Sequence, residues 1–278
     1  MLAQYDKAAV AKRFTQQAFA YTEHAQVQQL SAHYLLQLLQ DWLSSRQTIT
    51  SKAPFATLLD LGCGPGVNSV ELAAVARHYL GVDIAAGMVQ AAQEQSLANE
   101  SLRQRMENGT ASFLQADMEQ LPLRNDSVTG LYSNLAVQWS NQPQQLLHEL
   151  YRVLAPGGMA WISTVLNNSL QPFADLRRNY LSQDGVNAQP TLLQWQAWLQ
   201  QVGFSVRYIE ERRETSWFSN LRELIRSVSR IGADQQRTHT APQLSSREWL
   251  SHQRSYELFR TELGLPLHYQ LGYFVIQK

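Results

Sequence analysis

Gly62, Gly64 and Gly66 fall at alternate positions directly after the apolar run Leu58-Leu59-Asp60-Leu61. An apolar run closed by glycines reads as a buried strand entering a tight turn. Val67 to Arg77 then carries a helical pattern, with Val67, Val70, Leu72 and Val75 among its apolar positions. Strand, glycine turn and helix form the opening of a nucleotide-binding unit. Glycine lets backbone approach a ligand closely, and a helix N-terminus aims N–H groups at it. The spacing is Gly-x-Gly-x-Gly. Val67 stands where a dinucleotide fingerprint has its last glycine, and the Lys-Ser/Thr of a phosphate-gripping loop is missing. Asp83 lies about 20 residues beyond Gly62, the spacing at which an acid meets ribose hydroxyls. Asp117 and Asn134 close two further apolar runs. The three side chains would stand at the carboxyl ends of successive strands, where open α/β sheets bind ligands.

Strands and helices alternate through the middle of the chain, the pattern of a mostly parallel sheet. Strands are expected at 57–61, 78–83, 111–116, 128–133, 159–165, 204–209 and 268–277. Helices are expected at 88–97, 143–154 and 192–202, with Pro156-Gly157-Gly158 and Gly203 as stops. The 99–110 stretch is polar and reads as a surface turn or helix extension. Two helices, at 8–21 and 27–43, precede the first strand and serve as a packing layer, a lid over the ligand, or both. Two more, at 217–231 and 246–262, fill a long segment before the last strand. The chain divides into N-terminal helices (1–52), a core (53–210 and 264–278) and a helical insertion (211–263), all within one domain.

Composition narrows the function classes. The 278 residues are 44% hydrophobic and 17% charged, with a formal net charge of zero, so global attraction to nucleic acid is not expected. No run approaches a membrane span and the N-terminus lacks a signal-peptide core, so a cytoplasmic location is expected. Cys63 is the one cysteine and cannot form an intrachain disulfide. It reads as a small side chain in the glycine turn, or less simply as a nucleophile. The seven histidines are scattered, and no metal-ligand cluster is expected.

Asp60-Leu61-Gly62-Cys63-Gly64-Pro65-Gly66 resembles the first motif of class I methyltransferases. Ser133-Asn134-Leu135-Ala136-Val137-Gln138-Trp139 is similar to a signature of one such family, the malonyl-acyl-carrier-protein O-methyltransferases of biotin synthesis. Asp117-Met118-Glu119-Gln120-Leu121-Pro122-Leu123 and Glu149-Leu150-Tyr151-Arg152-Val153-Leu154 resemble further blocks of it. So do Phe14, Tyr21, His24-Ala25 and Gln28 near the start, Ile225–Ala233 in the insertion, and Leu265-Pro266-Leu267-His268-Tyr269. These blocks span nearly the whole chain. There are departures: Ser229 replaces a lysine, Arg230 a glycine and Gln16 an arginine. They bear on substrate grip rather than on the fold.

The resemblance implies a Rossmann-like α/β fold with a seven-stranded, mostly parallel sheet. It implies S-adenosylmethionine as cofactor, held by Gly62, Gly64, Gly66, Asp83, Ile84, Met88, Asp117, Met118 and Asn134, with S-adenosylhomocysteine as product. It implies methylation of the free carboxylate of malonyl-acyl-carrier protein, with Tyr21, Asn134, Trp139 and Arg226 on the substrate side. Malonyl-CoA or a free small acid is an alternative acceptor, and a non-catalytic cofactor-binding protein a further alternative. A carboxylate with a pKa of about 4 is already ionised at neutral pH, so no general base is called for. A carboxylate in a pocket wants a forked cation, hence Arg226 pointing inward, with Arg222 and Arg230 at the rim facing an acidic carrier. Arg226 reads equally as a solvated helix charge or a partner of Glu223 or Glu214. Tyr21 reads as a donor to the carboxylate or as a core aromatic.

Overall fold

The computed structural model describes residues 5–18, 26–45, 53–175, 189–230 and 246–278. In chain order these form α1 (Lys7–Gln17), α2 (Gln26–Ser45), β1 (Phe55–Leu61), α3 (Ser69–Ala74), β2 (Ala76–Asp83), α4 (Ala86–Ala98), α5 (Glu100–Glu107), β3 (Ala111–Gln115) and β4 (Val128–Asn134). They continue with α6 (Pro143–Val153), β5 (Leu154–Val165), α7 (Leu192–Val202), β6 (Ser205–Phe218), α8 (Leu221–Arg230), α9 (Ser246–Glu257) and β7 (Leu265–Gln277).

The strands form a seven-stranded sheet in the order β3-β2-β1-β4-β5-β7-β6. β7 runs antiparallel to both β5 and β6, and the remaining pairs are parallel. Alternation along each strand sorts the core into two layers. Leu58, Tyr132, Trp161, Tyr273 and Val275 face one side, and Leu59, Leu61, Leu131, Ile162, Phe274 and Ile276 the other. On the first side α2 lays down Val27, Ser31, Ala32, Leu35 and Leu39, a stripe at helical spacing. Trp42 of the same helix stacks on Phe55 at 5.7 Å and meets Trp161 edge-on at 5.0 Å. On the second side α6 supplies Leu146, Leu147, Leu150 and Val153, and α7 supplies Trp195 and Leu199. A capping box of Thr191 and Gln194 starts α7, and Gly203, at φ 107°, stops it.

Several boundaries differ from those the sequence suggests. The helix expected over 67–77 is short, because Ala76 already pairs with Phe55 of β1; a ladder partner outweighs local helix propensity. Val67 and Val70 are exposed rather than on a buried face. α6 ends at Val153 without help from Pro156-Gly157-Gly158, which instead lies within β5. The 99–110 stretch is a separate helix, α5, capped by Asn99. β6 runs on to Phe218, so Trp217 is a strand residue paired with Pro266, and α8 begins only at Leu221. Pairing between β5 and β7 stops at Val165–Leu271, while β6 and β7 stay paired to Phe218–Leu265. The last part of β6 and the first part of β7 therefore project beyond β5 as a two-stranded ribbon.

The Glu149–Arg152 block has a structural purpose. Arg152 bonds Glu149 at 2.6 and 2.7 Å, and also the Leu121 and Leu123 carbonyls and Asn125. Glu149 accepts the Leu121 N–H at 2.7 Å. The pair thereby fixes the connection between β3 and β4, whose beginning carries Asp117 and Met118. Arg152→Met is expected to lower stability by about 1–3 kcal/mol, since it strands two part-buried carbonyls and a carboxylate. Urea denaturation, with the midpoint compared at constant slope, checks this.

Candidate active site

A cavity of about 620 Å³, counting its open mouth, lies at the carboxyl ends of β1, β2 and β4. Its floor is the turn after β1. Gly62 and Cys63 both donate their N–H to the Val82 carbonyl of β2, at 2.7 and 3.0 Å. Gly62 sits at φ 71°, and a Cβ there would stand 2.2 Å from the Ala136 Cβ. Gly64, at φ 53°, faces open space instead. Gly66, at φ 82°, turns the chain into α3 and does not line the cavity. Cys63 is buried and its thiol is pushed well above its usual range by burial, so it is a packing side chain and not a nucleophile.

Asp83 ends β2 at the cavity wall. One carboxylate oxygen accepts the Gly64 N–H at 3.0 Å and the other the Ala85 N–H at 2.8 Å. Burial pushes its pKa up to about 6, although backbone N–H groups of Ala85, Gly64 and Ile84 pull the other way. Directly beneath, Asp60 is 3% exposed and accepts from the Tyr79 hydroxyl at 2.8 Å. Burial raises it to about 7; the Tyr79 bond opposes this and the charge of Asp83 adds to it. The two acids are near enough that ionising one discourages ionising the other.

Asn134 ends β4 on the opposite wall. Its amide donates to the Gln28 carbonyl of α2 at 3.1 Å, and its oxygen accepts from Ser163 of β5 at 2.8 Å. Ser163 in turn accepts from Ser31 of α2 at 3.0 Å. The next residue, Leu135, is held at φ 48°, a conformation unusual for a branched side chain and typical of functional turns. Both Leu135 and Ala136 line the cavity.

α1 closes the cavity from above. Val10 and Phe14 line it, and Phe14 meets Trp139 edge-on at 5.5 Å. Lys7 bonds Asp117 at 2.6 Å and Glu119 at 2.5 Å. Burial lowers the lysine pKa, and the two carboxylates more than reverse this. Sequence reasoning missed Lys7, Val10 and Glu119. The signal was there: residues 7, 10 and 14 share one helix face.

Of the expected site residues, Gly62, Gly64, Asp83, Ile84, Met88, Met118, Asn134 and Trp139 meet around this cavity. Asp117 lies next to it, in the hands of Lys7. Arg226 does not reach it. On α8 the buried face carries Leu221, Leu224 and Val228, which leaves Arg226 and Arg222 exposed on the far side. The inward orientation expected of Arg226 is thus corrected. The Arg230 side chain and Tyr21 lie outside the described residues. Among the described residues, no group of three His, Cys, Asp or Glu is placed to hold a metal ion.

Residues 59–162 match the family model described as a methyltransferase domain. Across 98% of its length the chain is 30% identical to the malonyl-[acyl-carrier protein] O-methyltransferase of Yersinia pestis, and it covers 92% of that protein. The chain belongs to the malonyl-[acyl-carrier protein] O-methyltransferase family. It is also 31% identical over 98% of its length to the biotin biosynthesis bifunctional protein BioHC of Cellvibrio japonicus, of which it spans 50%. Among solved structures, the YcgJ protein of Bacillus subtilis superposes with a TM-score of 0.55 at 16% identity, covering 88% of this chain and 97% of that one. At such identity the likeness shows the fold alone.

For this O-methyltransferase family member, the glycine turn and Asp83 yield separate tests. Gly62→Ala would drive its Cβ into Ala136 and is expected to abolish ligand binding and lower Tm by several degrees. Gly64→Ala meets no atom within 4 Å and should cost only the left-handed backbone penalty, about 1–2 kcal/mol. Thermal denaturation of both variants checks the contrast. Asp83 binds its proton more tightly folded than unfolded, so its contribution to stability is present below about pH 4 and lost as pH rises through about 6. A ligand diol needs the ionised form. Affinity for an adenosyl ligand is expected to fall about tenfold per pH unit below 6, measured by calorimetry.

Proposed function

We propose that the protein transfers a methyl group from S-adenosylmethionine to the free carboxylate of malonyl-acyl-carrier protein; its relatives are named as O-methyltransferases of that carrier-bound substrate. The observation that carries the reading is the cavity. Glycine backbone, a ribose-type acid, two methionines and the Asn134–Trp139 turn converge on one site within a family member of this fold.

The donor fits the residues present. Gly64 leaves open space where a side chain would intrude, and Asp83 offers acceptors to a diol. Met88, Met118 and Ile84 supply apolar walls for a purine, and Asn134 stands on the side of the reacting end. When bound, the donor supplies an activated methyl: its carbon–sulfur bond breaks as a bond to a carboxylate oxygen forms, leaving S-adenosylhomocysteine. The protein has no proton to move, because the acceptor is already ionised. Its work is to hold donor and acceptor in line and to keep water out, which Phe14 and Trp139 do from above.

On the acceptor side the proposal keeps Tyr21, Asn134, Trp139 and Arg226. Among the described residues, the cavity lining contains one carboxylate, Asp83, and no lysine or arginine. With Arg226 exposed, its part in the proposal is on the outer face of α8 with Arg222, toward an acidic carrier protein. A cytoplasmic setting belongs to the same proposal.

The test incubates purified protein with S-adenosylmethionine and, separately, malonyl-acyl-carrier protein, malonyl-CoA and free malonate. Mass spectrometry is expected to show the carrier-bound acid heavier by one methylene, and far less product from the other two. Equal product from malonyl-CoA would overturn the carrier assignment, and none from any acid would overturn methyl transfer. Arg226→Ala is expected to raise KM for the carrier about tenfold while cofactor affinity is unchanged.

A further inference from the structure

Lys7 is placed to do more than stabilise a surface helix. Its ammonium lies between Asp117 and Glu119, at 2.6 and 2.5 Å, on the rim of the cavity that Ala116 and Met118 line. Glu119 is no ordinary surface partner. It is 7% exposed, and its second oxygen accepts from the Ser140 hydroxyl at 2.7 Å and from the N–H groups of Asn141 and Gln142 at 2.6 and 3.1 Å. It thus joins the loop after β3 to the loop after β4 and offers its remaining oxygen to α1. Asp117 is fixed in the same way: one oxygen accepts the Glu119 N–H at 3.0 Å, the other the Lys7 ammonium.

The helix that carries Lys7 is also held at its start, where Tyr5 exchanges backbone hydrogen bonds with the Asn141 side chain and its ring meets Trp139 at 5.0 Å. It is 11 residues long and rich in polar side chains, too short to persist in water without a partner. At its far end Thr15 accepts the Gly87 N–H at 3.2 Å, and a Cβ on Gly87 would come within 2.8 Å of the Thr15 backbone. Between these ends Val10 and Phe14 roof the cavity, and Phe14 abuts Trp139. The face that carries the clasping cation is therefore the face that covers the ligand.

The geometry points to Lys7 as a positioning residue that latches α1 over the bound cofactor and sets how fast the spent cofactor leaves. The latch acts through Asp117 and Glu119, not on the reacting atoms. It rests on the proposed function only in taking an adenosyl cofactor as the occupant. A merely structural lysine would change stability and leave ligand release alone.

Trp139, between α1 and the cavity, is a built-in fluorescent reporter. Stopped-flow displacement of S-adenosylhomocysteine is to be compared in the wild type, Lys7→Met and Lys7→Arg, with thermal denaturation alongside. Lys7→Met is expected to release the ligand about tenfold faster, with a matching rise in KM for S-adenosylmethionine. kcat is expected to stay within about twofold, or to rise if release is limiting. Lys7→Arg, which keeps a cation able to bridge two carboxylates, should recover most of the slow release. Gly87→Ala pries at the other end of α1 without touching the latch, and should speed release as well. Unchanged release in Lys7→Met, in protein that binds the ligand, overturns the latch alone, whatever Gly87→Ala does. A wild type that binds no S-adenosylhomocysteine overturns the cofactor reading together with it.

Discussion

Most of this structure depends on how little room there is behind Gly62. The chain leaves β1, an interior strand of the sheet, with β2 on one side and β4 on the other, and it must turn away at once. The Val82 carbonyl takes two consecutive N–H groups, and Ala136 stands where a side chain would be. This contact brings the turn after β1 against the turn after β4. It fixes the distance between Asp83 and Asn134, the two walls of the cavity. A left-handed backbone with no Cβ is the one solution open to an L-amino-acid chain here, so the floor of the site follows from a steric condition.

The sequence made the central sheet legible because buried parallel strands are apolar runs, and glycine and proline punctuate them. Strand positions came within a few residues except at the start of β5 and the end of β6, and eight of the expected site residues line the cavity. What was lost has physical causes. Trp217 reads as helical by local pattern, yet it pairs with Pro266, and that partner is remote in sequence. Arg226 has the right chemistry for a carboxylate, but its side of α8 is fixed by Leu224 and Val228. A cation can be located along a chain more readily than its direction can. Lys7 was overlooked because its partners, Asp117 and Glu119, lie far along the chain, and nothing local marks a lysine as paired.

Charge in the site is arranged asymmetrically. At the cavity wall and behind it, Asp83 and Asp60 sit where burial disfavours ionising both. Above it, Lys7 neutralises the acids of the β3–β4 connection. Of the first two acids, Asp83 lines the cavity, while Asp60 is engaged by the Tyr79 hydroxyl. The upper group ties a helix to the rim. The same residue type is thus held by backbone N–H groups in one place and tied to a cation in the other.

The position of β7 has a consequence for how the molecule assembles. In the chain it follows β6, yet in the sheet it lies between β5 and β6. Until residues 265–277 arrive, β6 has no strand to pair with and one edge of β5 stays open. Closing that gap requires contacts between segments far apart in sequence, which raises contact order and slows folding. For that interval the open edges are exposed to pairing with other chains, a hazard of partly built sheets. The half of the sheet formed by β3, β2, β1 and β4 bears no such debt, since its strands are complete before α6 begins. The cofactor side of the site can therefore take shape first, and the ribbon that carries the insertion is the last part of the protein to find its place.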